Sequence, residues 1–201
     1  MPSNEEKPRK TWVMFKKADQ GISFDSNIIP KFNKSLTTTD EHGTWTVSYS
    51  HSSNQAPYMY SAFDHSTDTY ASSHKNQSKY THYVLLQLPE GFVVSPETIV
   101  SKVKDTFNQS GFPTQYDVHV RGLNHATGEW DILTETHTAP NLYKVKEDKT
   151  KFTTFTDTVL TTKQFYSAFR FYIQRTKNQS LTDHGLWLIE YEIVKGRYMK
   201  V

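Results

Sequence analysis

The triplet Asn-Gln-Ser occurs three times, at 76–78, 108–110 and 178–180, each time in a polar stretch flanked by aromatic or charged residues. Amide, imidazole and guanidinium groups beside aromatic rings suit sugar recognition, because a ring covers the apolar face of a sugar while the polar groups take up its hydroxyls. Read this way, segments 70–82, 105–113 and 176–186 are ligand loops that converge at one end of the domain. They offer Tyr70, His74, Tyr80, Phe107, Asn108, Phe112, Asn178 and His184, and Arg121 reaches the same rim. The competing reading makes the triplets solvated loop tips and each aromatic an ordinary case of edge packing. The triplets are N-glycosylation acceptors only if the chain enters a secretory route.

Chemistry of the catalytic kind finds no such footing. The nine His residues include no His-Glu-x-x-His pair, and there is neither a Gly-x-Ser-x-Gly elbow nor a Gly-rich phosphate loop. Glu190 and Glu192 share one face of a strand, whereas the carboxylates of a glycosidase usually come from separate elements. The expected protein is therefore not an enzyme. With 23 basic and 21 acidic residues the formal charge is +2, too small a field to steer nucleic acid or an anionic membrane. The absence of Cys removes disulfides, thiolate nucleophiles and Cys-ligated zinc, so stability must come from the core and from any hard metal ion.

The elements that must hold such loops read as strands. The 12 Phe, the 12 Tyr and the abundant Thr suit half-buried pleated surfaces. After a flexible, charged arm over 1–10, a single domain is expected over 11–201, with strand signals from Trp12–Phe15 onward. Trp45, Val47 and Tyr49 alternate with polar residues, and a long polar stretch, 50–82, follows. Tyr83–Leu88, ended by Pro89, reads as a central strand covered on both faces. Tyr116, Val118 and Val120 alternate ahead of the turn-rich Asn124–Gly128 and Trp130, which predicts a hairpin. Ser95–Asp105 fits helix or strand, and strand is favoured. Phe165, Phe169, Phe171 and Ile173 fall on one period-2 face with Tyr166, Arg170 and Tyr172 on the other, and Trp187, Ile189, Tyr191 and Ile193 repeat the pattern. Arg170 reads as a paired structural residue of the outer face. Many short strands between long polar loops predict a β-sandwich. The polar N-terminus lacks the apolar core of a signal peptide, and no apolar run reaches the roughly 18–20 residues of a membrane span.

Five segments, in order, carry a family resemblance. Ser61–Tyr70 (SAFDHSTDTY) resembles an A-F-D-G…T-W signature, with Ala62, Phe63, Asp64 and Thr69 in place, His65 for the Gly and Tyr70 for the Trp. Tyr83–Leu88 resembles a W-L-Q-I-D-L strand, and Tyr116–Trp130 (YDVHVRGLNHATGEW) resembles Y-x-V-x-G-S-N-D-G-x-x-W. Phe165–Ile173 and Leu188–Gly196 resemble A-Y-R-Y-V-R-I and a terminal E-I-E-V-Y-G, the latter with one extra residue before the glycine. From about 28 to 196 the chain thus resembles the coagulation factor 5/8 type C, or discoidin, family, whose sugar-binding branch is carbohydrate-binding module family 32. The segments Ile29–Lys31 and Tyr49–Ser53 are further similar to discoidin-like domains of bacteriophage tail and fibre proteins.

The resemblance implies an all-β, discoidin-like (galactose-binding-like) jelly-roll β-sandwich that binds a glycan without acting on it. It also implies a structural Ca²⁺ held by Asp64, Asp68, Thr69 and Glu190, against which stands the reading that Asp64 and Asp68 only make Asx turns while Thr69 packs. His65 in place of Gly, and the extra residue before Gly196, bear directly on that site. The phage likeness implies a virion component made in the host cytoplasm: a tail-fibre, baseplate or capsid-surface adhesin for host-surface polysaccharide, in one or several copies. Two rival expectations remain. One is a decoration subunit that binds other virion proteins; the other is a lipid-binding discoidin domain using Phe107 and Phe112, which the near-neutral charge disfavours.

Overall fold

The computed structural model describes residues 21–50, 56–69, 71–72, 82–104, 116–139, 152–161, 163–175 and 187–201. Among them the elements are β1 (Ile22–Phe24), β2 (Thr37–Asp40), β3 (Gly43–Tyr49), a 3₁₀ helix (Ala56–Phe63), β4 (Ala71–Ser72), β5 (His82–Gln87) and β6 (Phe92–Lys104). There follow β7 (Tyr116–Asn124), β8 (Trp130–Ile132), β9 (His137–Ala139), β10 (Phe152–Thr158), β11 (Tyr166–Arg175) and β12 (Trp187–Lys200). All pairings are antiparallel. One hydrogen-bonded path runs β1-β12-β6-β11-β5-β3-β2, with β4 beside β12, β10 beside β6, β7 beside β11, and β8 and β9 beside β7.

That path is continuous only in name, because β6 and β11 touch through the single pair Tyr166↔Val94. There the network folds into two layers. One holds β1, β4, β12, β6 and β10; the other holds β2, β3, β5, β11, β7, β8 and β9. Their inner faces meet where Phe171 of β11 stacks on Tyr191 of β12 with centroids 4.2 Å apart, and where Trp45 of β3 meets Phe92 of β6 edge-on at 5.6 Å. Phe169, Val118, Val120, Leu86, Ile99 and Ile193 complete the buried seam. This is the all-β sandwich that period-2 alternation predicts.

Several local expectations are met. The Asn124–Gly128 segment turns β7 into β8: the Asn124 side chain accepts from the Ala126 amide at 3.0 Å, and Gly128 takes φ +74°, which costs a glycine little. Ser95–Asp105 lies in strand β6 up to Lys104, paired with β12 on one edge and β10 on the other. β5 is central, between β3 and β11, and stops before Pro89. Its outer face is only half covered, since Tyr83 and Leu85 are half-buried and Gln87 is exposed.

Two expectations fail for identifiable reasons. The polar stretch 50–82 contains the 3₁₀ helix, which buries Met59, Ala62 and Phe63; the Phe63 ring lies 5.8 Å from Phe32 and 5.5 Å from Phe171. The phase of β11 is also interrupted. A bulge between Tyr166 and Ala168 inserts one residue, so Tyr166 turns fully into the core while Phe165 is half-buried. The buried Tyr166 hydroxyl donates to Asp131 at 3.2 Å, and burial pushes its pKa up to about 12. Room for the ring comes from Gly122, where an added Cβ would lie 2.5 Å from it.

Residues 1–10 and the signals at Trp12–Phe15 lie outside the described residues. No helix among the described residues is long and apolar enough to cross a membrane.

Candidate functional site

The strand ends that flank the predicted ligand loops gather at one end of the sandwich. Arg175 is in register with Tyr116 and Ile173 with His82 in one layer; Trp187 pairs with Ser72 and Phe152 with Lys104 in the other. The Phe171–Tyr191 stack joins the two layers toward this end, while Trp45 and Phe92 join them toward the opposite one. Tyr70, His74, Tyr80, Phe107, Asn108, Phe112, Asn178 and His184 themselves lie outside the described residues.

Of the four proposed metal ligands, three are brought together. Asp64 is buried; its Oδ1 accepts from the Ser66 amide at 3.0 Å and its Oδ2 from the Thr69 hydroxyl at 2.5 Å. Asp64 thus makes the Asx turn of the competing reading, yet it also takes up Thr69, which is exposed rather than packed. Glu190 enters from β12 and is buried to 1% exposure, with no hydrogen-bond partner on either carboxylate oxygen. Asp68 is exposed, and only its backbone amide joins the loop, donating to Ser66 Oγ at 3.2 Å. No group of three or more His, Cys, Asp or Glu gathers at metal-holding distance among the described residues.

Glu190 is the anomaly of this corner. Burial, and then the negative charges of Asp64 and Glu192, push its pKa up to about 9. Lys102 faces Glu190 across the β12–β6 ladder but gives its ammonium to Glu192 at 2.6 Å. The Ser66 backbone amide pulls the pKa the other way, although its proton is given to Asp64 Oδ1. Two hard oxygen donors with a missing counter-charge suit a divalent cation, with loop carbonyls and water completing the six to eight oxygens that calcium takes. On this test the residues fit the ion.

Both departures from the family pattern are accommodated. His65 adopts φ +56°, the left-handed region that a glycine enters freely, and its Nε2 donates to the Ile29 carbonyl at 2.9 Å. The imidazole thereby ties the loop to the segment along β12, where Asn27 Oδ1 accepts from the Ile193 amide at 3.1 Å. The extra residue before Gly196 is absorbed by register shifts between Ile193 and Gly196, so Glu190 keeps its place beside Asp64. Gly196 is required there, because a Cβ would fall 2.3 Å from the Ser95 carbonyl oxygen.

Arg121 sits elsewhere. It lies mid-strand on the outer face of β7, five residues from Tyr116 and so about 17 Å from the loop end at ~3.3 Å per residue. It belongs to a lattice on that face and not to the rim. Tyr172 pairs in register with Tyr83 on one side and His119 on the other; the His119 ring stacks on Tyr172 at 4.6 Å, and the Arg121 guanidinium lies 5.2 Å from the same ring. Arg170 lies between Tyr83, at 4.6 Å, and Trp130, at 3.9 Å. Sequence reasoning saw these residues singly and missed that β11 and β7 bring them together. A further acid–imidazole contact, His137 Nε2 to Asp157 Oδ1 at 2.5 Å, joins β9 to β10 and clasps the free edges of the layers.

No model of a known protein family matches the chain, and no curated protein matches it. Solved structures do resemble it. The F5/8 type C domain of a Bacteroides fragilis protein is 12% identical over 82% of this chain and 97% of that one, with a TM-score of 0.49. The C-terminal domain of a chitobiase from Bacteroides fragilis is 11% identical over 82% of this chain and 99% of its own, with a TM-score of 0.48. CBM32-3 from a family 31 glycoside hydrolase of Clostridium perfringens is 9% identical over 81% and 95%, with a TM-score of 0.44. Domains of the discoidin and carbohydrate-binding-module kind are thus among the structures this chain is similar to.

Proposed function

We propose that this chain is a non-catalytic glycan-binding domain whose ligand end is braced by a calcium ion between Asp64 and Glu190. The carrying observation is the buried, unpartnered Glu190 carboxylate facing Asp64, at the positions where the discoidin-type motifs imply a metal. A cation there joins the 64–69 loop to β12 beside the strand ends that lead into the amide-rich and aromatic segments. Asp64 and Glu190 would hold the ion through carboxylate oxygens, with Thr69 orienting Asp64. The ion supplies charge neutralisation and a cross-link between loop and sheet, and no bond-breaking step is asked of it.

The finer reading is a bacteriophage virion component that recognises host-surface polysaccharide, supported by the phage-like sequence segments. Single-site affinity is expected to be weak, with several copies supplying avidity. A glycan array run with calcium and with chelator tests both levels. Saccharide binding that calcium strengthens supports the proposal. No binding to any saccharide at millimolar concentration, with calcium present, overturns it.

A further inference from the structure

Arg121 and Arg170 stand directly opposite each other on β7 and β11, an arrangement of like charges that ordinarily destabilises a sheet. Neither makes a salt bridge to a described carboxylate. Among the described residues of this face, the Asp117 carboxylate is engaged by the Thr138 hydroxyl at 2.9 Å. Nε of each arginine and Nδ1 of His119 are shut away from solvent with no hydrogen-bond partner. Aromatic faces can hold guanidinium groups in place, but they leave the formal charge of both uncancelled. Tyr83 and Trp130, which flank Arg170, are themselves only half-buried.

We propose that the outer face of the β5–β11–β7–β8 layer binds a carboxylate-bearing saccharide, with Arg121 and Arg170 taking the carboxylate and Tyr83 and Trp130 flanking the sugar ring. A planar guanidinium matches a carboxylate through two parallel hydrogen bonds, and two of them on adjacent strands bring a charge of +2 to one small area. The parts of these rings left exposed beside Arg170 supply apolar contact at the edge of the sugar. This surface is distinct from the calcium-braced loop end. The inference rests on the glycan-binding reading and names a class of saccharide, the uronates, that the loop end does not specify.

The test is calorimetric titration of the full chain, in calcium and at physiological salt, with a galacturonate oligomer and with the neutral galactose oligomer of equal length. Binding of the acidic oligomer at least tenfold tighter than the neutral one is expected. Arg121→Gln and Arg170→Gln should each weaken it by tenfold or more while leaving the calcium-induced rise in melting temperature intact. Arg170→Lys should also weaken it, because an ammonium lacks the planar fork. Arg170 packs between two rings and Arg121 beside one, so Arg121→Gln reads binding with the smaller disturbance to folding. Unchanged affinity in Arg121→Gln, or equal competition by dextran sulfate, overturns the proposal. Binding of neutral sugars alone overturns it too, while leaving the broader glycan-binding function standing.

Discussion

The acidic corner at the loop end and the aromatic face of the second layer hold opposite charges under comparable deprivation. Glu190 and Asp64 are carboxylates drawn out of water beside each other; Arg121 and Arg170 are guanidiniums placed opposite each other. The cations find partial relief in the electron-rich faces of Tyr172, Tyr83 and Trp130. The anions have no equivalent, since a ring face repels a carboxylate, and Lys102 is spoken for by Glu192. A protein can therefore keep an uncompensated cation on side chains alone, whereas an uncompensated pair of carboxylates calls for a metal ion or a proton.

The largest effect should come from calcium itself. At a concentration about 100 times its dissociation constant, a bound ion adds roughly 2.7 kcal/mol, or about 5–10 °C in melting temperature for a chain of this size. Identical melts with calcium and with chelator would erase the contrast between the two regions. Next in size is Glu190→Gln, which removes the cost of protonating a buried carboxyl well above its ordinary pKa. In chelator at pH 8 it should melt higher than the parent by about 4–8 °C, on the order of 2 kcal/mol, and show no calcium response.

The same carboxylate sets a pH dependence. Its folded pKa of about 9 lies above the ordinary 4.5, so protonation favours the folded state. In chelator, that contribution is complete below pH 4.5 and is lost as pH climbs toward 9, while calcium should reverse the trend. Thermal melts across this range check it. Arg170→Gln should cost about 1–2 kcal/mol through the loss of two ring contacts, with the calcium shift unaltered. A changed calcium shift would couple two regions taken here as separate. The smallest effect belongs to His119, whose pKa is lowered by burial and then by Arg121, against an opposing pull from Asp117. A base that resists charging in the fold withdraws stability as pH falls below its ordinary 6.5, so acid melts of His119→Phe should flatten slightly there.

Much of the sandwich was legible because burial alternates with period two: Trp45 and Val47, Val118 and Val120, Tyr191 and Ile193 all point inward as their spacing predicts. The phase of Tyr166 was not, since a bulge depends on the partner strand and leaves no mark in the residues around it. The 3₁₀ helix escaped because Ser, Tyr and Pro suit a loop as well as a helical turn. At the site, Asp64 and Glu190 were reached through motif order, as nothing in local spacing could join residues so distant along the chain. The meeting of Arg121 with Arg170 was invisible for a related reason: it is set by the register of β7 on β11, which only the folded ladder decides.

The last strand has a mechanical consequence. β12 carries Glu190 near the loop end and runs the length of its layer to Lys200, with eleven residues paired against β6. A load at the Lys200 end of the strand and a ligand at the loop end would pull along this ladder, not across it. Such a pull loads the hydrogen bonds in shear, so that they yield together and not one after another. The strand that braces the recognition end is thus also the line along which an attached molecule would bear tension.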